Sequence, residues 1–90
     1  MEGAEFFREG TLRLAIARRL REIRFDLYGE HGAPILAREL NVSAHVFQRY
    51  ENGEMIPGED LLRILEVTGV NSRWLLTGQG PRFDDRSATS

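Results

Sequence analysis

PILARELNVSAHVFQRYENG, residues Pro34 to Gly53, reads as two short helices joined by a tight turn. Pro34 suits the first turn of a helix, where its missing N–H is no loss. Ile35, Leu36, Ala37 and Leu40 carry that helix to Leu40. Asn41 follows, where a left-handed residue would end it. Asparagine tolerates positive φ, though less cheaply than glycine. Ser43 is a good N-cap for the next helix, whose inner face is Val46, Phe47 and Tyr50 and which Gly53 ends. A close crossing wants a small residue on the first helix, and Ala37 supplies it. Phe47 anchors the second helix to the core and leaves its opposite face free. These demands define a helix-turn-helix.

Working outward, Thr11 is a reasonable N-cap for an earlier helix. Leu12, Ile16, Leu20, Ile23 and Leu27 recur at spacings of three and four, one apolar stripe running to about Tyr28. Arg13, Arg18, Arg21 and Glu22 fall on other faces, which read as a solvated surface laced with i, i+4 pairs. Gly29 to Gly32 breaks the helix. Downstream, Glu59 and Asp60 place negative charge at a helix N-terminus, where the dipole favours it. Leu61, Leu62, Ile64, Leu65 and Thr68 continue that fourth helix to Gly69. Asn71 can cap a short fifth helix through Trp74, Leu75 and Leu76, closed by Gly78. No strand pattern or internal repeat is present. The predicted fold is all-α: five helices in one domain, with the helix-turn-helix at the second and third. Residues 1–10 read as a flexible N-terminal arm, 11–80 as the domain and 81–90 as a disordered C-terminal tail. Phe6 and Phe7 of the arm would dock on the domain or meet a partner.

Ninety residues allow one domain with a thin stability margin. There is no cysteine, and His31 and His45 are far apart, so no metal site is expected. No apolar run approaches a membrane span, and the acidic start MEGAEFFREG is no signal peptide, so the expected location is the cytoplasm. Ser43 and His45 are two apart on a helix and cannot form a nucleophile–base pair. Glu59–Asp60 reads as helix-terminal charge, and no phosphate-cradling glycine loop exists. Neither catalysis, a cofactor nor a small-molecule ligand is expected. The formal net charge is -2 and the pI about 5.7, which counts against strong non-specific affinity for nucleic acid. All twelve basic residues are arginine, which pairs bidentately with carboxylates, phosphates and guanine.

Four pieces, RRLREIR at Arg18 to Arg24, ILARELNVS at Ile35 to Ser43, RYENG at Arg49 to Gly53 and GVNSRWLLTGQGP at Gly69 to Pro81, resemble the phage lambda repressor and Cro family, also called the XRE family. The resemblance implies a five-helix DNA-binding fold and a transcriptional regulator that acts as a homodimer on double-stranded, palindromic DNA. It implies base readout by Ala44, His45, Gln48 and Arg49. It implies phosphate contacts at Ala33, Arg38, Ser43 and Asn52. Arg24 and Glu51 match a pair that ties helix one to helix three, and Ala37, Asn41, Phe47 and Trp74 match structural positions, with Trp74 in the core. A dimer seam on helix five, with Trp74 or Leu75 partly exposed, is the other reading of that helix.

The chain departs from the family pattern in three ways. It is about two residues longer between Arg24 and Leu36. Ala33 and Ala44 stand where the family carries polar side chains, although Ala44 could still touch a thymine methyl. Between Arg38 and Gly53 the formal charges cancel, Arg38 and Arg49 against Glu39 and Glu51. Arg49 could simply pair with a carboxylate on the same surface, and His45 could be a plain surface residue. An alternative function follows: the same fold used as a protein-interaction or dimerisation module.

Overall fold

In a computed structural model that describes residues 9–83, the described residues fold into five α-helices with no strand. They are α1 (Glu9–Tyr28), α2 (Ala33–Glu39), α3 (Ala44–Glu51), α4 (Gly58–Thr68) and α5 (Ser72–Thr77). The expectations for Phe6 and Phe7 lie outside the described residues. Helix α1 is already formed at Glu9, so Thr11 lies within it rather than capping it.

Local chemistry accounts for the remaining boundaries. Pro34 occupies the first turn of α2. Asn41 follows α2 with φ 61°, the one non-glycine residue of the described chain at positive φ. There the Val42 N–H donates to the Ala37 carbonyl and the Asn41 N–H to the Arg38 carbonyl, each at 3.0 Å. This pair of bonds is a Schellman motif, which satisfies carbonyls that the helix end would leave bare. Ser43 caps α3, its Oγ accepting from the Val46 N–H at 3.0 Å. Asn71 caps α5, its Oδ1 accepting from the Arg73 N–H at 3.1 Å. Left-handed Gly69 and Gly78 end α4 and α5.

Leu20, Ile23, Leu36, Leu40, Phe47, Ile64 and Leu75 are fully buried and form one core, with Ala37 and Val70 among them. Helix α1 packs against α2, α3 and α5 through its middle. Its stripe therefore works only in part. Ala17, Leu20 and Ile23 are buried, whereas Leu12 and Leu27 at the two ends remain 42% and 43% exposed. A 20-residue helix spans about 30 Å, longer than the core it crosses.

Two further expectations change. The arginines of α1 do not chiefly serve its own glutamates: Arg19 Nη1 donates to the Leu75 carbonyl at 3.0 Å, and Arg21 and Arg24 reach α3. Nor does the packed domain stop at residue 80. Phe83 bridges Val70 in antiparallel fashion and packs on the core. Arg82 lies over the Trp74 ring, 5.1 Å from its centroid, and pairs with Glu22 at 3.0 Å and with Asp26. Trp74 is thus half-buried beneath an arginine rather than enclosed in the core.

Tyr50 fastens α3 to α4. Its hydroxyl donates to Asp60 Oδ2 at 2.5 Å, while Arg63 holds the other Asp60 oxygen at 3.3 Å and the Leu40 carbonyl at 3.2 Å. Burial, then the bond to Asp60, push the phenol from 10.0 up to about 12. A raised acid pKa means that the fold favours the neutral phenol. Its contribution is therefore intact below pH 10 and is lost as pH rises towards 12. Denaturant midpoints measured from pH 9 to 12 should fall for the native chain and fall less steeply for Tyr50→Phe.

Candidate nucleic-acid interface

Helix α3 has two faces of opposite character. Phe47, Tyr50 and Glu51 are buried, whereas Ala44, His45, Gln48 and Arg49 are all exposed. The pattern follows from the spacing of three and four that brings residues onto one side of a helix. The four candidates for base contact therefore share the outward surface of α3. At its N-terminal end Arg38, Asn41, Ser43 and Ala44 line one open concavity together with Pro34, Ala37 and Val42. Asn52 lies exposed at the opposite end as the C-cap. Ala33 stands apart: its side chain is half-buried against the core and has no polar atom, so only its backbone could meet a phosphate.

The orientation of α3 is held from behind by Glu51, which is only 7% exposed. Arg24 Nε donates to Glu51 Oε2 at 3.0 Å and Arg24 Nη2 to Oε1 at 3.1 Å, a two-pronged pair. The same guanidinium donates through Nη1 to the Glu30 carbonyl at 2.8 Å. Arg21 Nη1 adds a bond to the Glu51 carbonyl at the end of the helix. The side-chain bond to Glu51 raises the pKa of Arg24.

Charge on the outward surface depends on which side chains turn in and which pair. Glu51 is buried and neutralised by Arg24. Glu39 sits close enough to Tyr28, on α1, to raise that phenol's pKa alongside the effect of burial. Of the four, Arg38, Glu39 and Arg49 remain exposed. Arg49 meets a fifth group, Glu54, that the sequence reading did not single out. Arg49 Nε donates to Glu54 Oε1 at 2.9 Å, and Nη2 lies 2.8 Å from the same oxygen as an ion pair, with both side chains about half exposed. The bond to Arg49 holds the Glu54 carboxyl below its ordinary range, and the nearby His45 adds to the effect. The signal that could have found Glu54 is Gly53 at the helix end, because a Schellman turn brings the residue after the glycine against the last full turn.

Helix α5 exposes Leu76 at 41%, while Leu75 is buried to 1%. A seam on this helix would therefore use Leu76 rather than Leu75. Among the described residues no cluster of three or more His, Asp or Glu side chains gathers, and no helix is long and apolar enough to cross a membrane.

Removing one partner of a buried pair strands the other charge and costs about 3–5 kcal/mol. Glu51→Ala should lower the unfolding free energy by about that amount in chemical denaturation. The double variant Arg24→Ala, Glu51→Ala should lose less than the sum of the two single changes.

No curated protein and no solved structure matches the chain. The family model for the bacteriophage CI repressor helix-turn-helix domain matches residues 25–83, which is more than half of the chain and runs from the last turn of α1 through Phe83. That range takes in the capped turn at Asn41, the two-faced α3 and the segment that Arg82 and Phe83 fasten. The chain belongs to the bacteriophage CI repressor helix-turn-helix family, whose fold is that of a DNA-binding regulator of the lambda CI and Cro kind.

Proposed function

We propose that this domain binds DNA sequence-specifically by inserting α3 into the major groove, as a homodimer on a palindromic operator. The observation that carries this reading is the exposed row Ala44, His45, Gln48 and Arg49 on a helix whose other face is locked into the core. A major groove about 12 Å wide admits one helix. Ser43 and Asn52 bracket the eight residues of α3, and the nine helical steps between them span about 13.5 Å. Groups at those two ends, with Arg38 beside the first, are spaced to meet the phosphates of the two groove walls. Between them Arg49 suits guanine, Gln48 suits adenine and Ala44 suits a thymine methyl.

A dimer would present two α3 helices about 34 Å apart, one turn of DNA. Exposed Leu14, Phe25, Leu62 and Leu76 offer apolar area for such a seam. The same residues favour the second reading, a helix-turn-helix fold used to hold a protein partner. Regulation of transcription in the cytoplasm, without catalysis, a cofactor or a small-molecule ligand, completes the first reading.

Random-site selection with gel shift separates the two. An enriched sequence with half-sites one helical turn apart, and binding that weakens with salt, is the expected result. No enrichment, together with binding unaffected by salt, would sink the proposal. Arg49→Ala should relax the preference at one base position by about 1–3 kcal/mol, whereas Arg38→Ala should weaken all sequences alike and reduce the salt slope by about 1.

A further inference from the structure

Both helices of the helix-turn-helix end in the same backbone device. After α2, left-handed Asn41 places Val42 against Ala37, an apolar pair of the kind that usually accompanies a Schellman turn. After α3, Gly53 at φ 98° lets the Glu54 N–H donate to the Arg49 carbonyl and the Gly53 N–H to the Tyr50 carbonyl, each at 3.1 Å. Here the residues brought together are Arg49 and Glu54, a charged pair on the reading surface.

Gly53 has little freedom to be anything else. A Cβ built there would lie 2.7 Å from Leu14 Cδ2, and its φ is left-handed. The turn, and with it the closeness of Glu54 to Arg49, is therefore set by backbone.

Building on the DNA-binding reading above, we propose that Glu54 is a specificity-determining residue that presents Arg49 to the groove. One carboxylate oxygen accepts from Nε and lies against Nη2, so Glu54 occupies the Nε side of the guanidinium. The outward Nη1–Nη2 fork is left for a bidentate acceptor, the geometry by which arginine reads guanine O6 and N7. The pair also offsets one positive charge. A phosphate wall, which any sequence offers, is less attractive to a neutralised arginine, while the directional fork is unaffected. Glu54 thus acts on the difference between right and wrong sequences, not on overall affinity.

Stability does not explain the pair. An exposed ion pair contributes little to folding. A carboxylate beside the C-terminus of a helix also faces the unfavourable end of its dipole.

The test uses the full chain and the duplex enriched by random-site selection, with a scrambled duplex of the same composition. Affinities are measured by fluorescence anisotropy at one salt concentration for the native chain, Glu54→Gln, Arg49→Ala and the double variant, with circular dichroism to verify folding. Glu54→Gln should bind the scrambled duplex more tightly and reduce the ratio of selected to scrambled affinity about tenfold, within the range of one bidentate base contact. The double variant should show the same ratio as Arg49→Ala alone. An equal gain on both duplexes, or a further loss of ratio on adding Glu54→Gln to Arg49→Ala, would overturn the proposal. If the native chain enriches no sequence, the DNA-binding reading itself fails and takes this inference with it. If it enriches one and the ratio is insensitive to Glu54, this inference alone fails.

Discussion

A buried carboxylate at the end of α3, tolerated because Arg24 grips it with two prongs, is the constraint on which the rest of this domain depends. Desolvating an unpaired charge would cost several kcal/mol. Arg24 joins α1, α3 and the loop at Glu30 in a single residue, since its third nitrogen holds the Glu30 carbonyl. A lysine, a point charge without a fork, could not make those bonds in one geometry. The theme recurs around the molecule. Arg21, Arg19 and Arg63 each donate to a carbonyl at the end of α3, α5 or α2. The all-arginine composition, ambiguous by itself, has a structural use here: guanidinium groups satisfy helix C-termini across the core.

What was legible in the sequence is what depends on neighbouring residues. Asn41, Ser43, Asn71, Gly69 and Gly78 act within their own turn, and each stands where its chemistry places it. The inward roles of Ala37 and Phe47 were equally readable, because a tight turn leaves little choice of facing residues. What escaped was contact over long separations. Nothing local marks Arg82 as the partner of Glu22 and Asp26, or Phe83 as the partner of Val70, so residues 81–83 looked like polar tail. The ends of the α1 stripe misled for the converse reason. Periodicity reports a face, not how far the core extends beneath it.

The candidate interface was legible as positions and much less so as electrostatics. Ala44, His45, Gln48 and Arg49 do share the outward face of α3. Their charge environment could not be summed along the chain, because Glu51 turns inward to Arg24 and Glu54 folds back on Arg49. On that surface exposed Arg38 and Arg49 stand beside exposed Glu39 and Glu54, in a chain whose net charge is -2. A negative net charge implies weak attraction to arbitrary DNA.

The most direct measurement is an amide chemical-shift titration of the full chain with a mixed-sequence DNA duplex at low salt. Insertion of α3 predicts shifts concentrated at Arg38, at Ser43 to Arg49 and at Asn52, fading as salt is raised. Shifts centred instead on Phe25, Leu62 or Leu76, or an unchanged spectrum, would contradict the assignment of α3 as the helix that meets DNA.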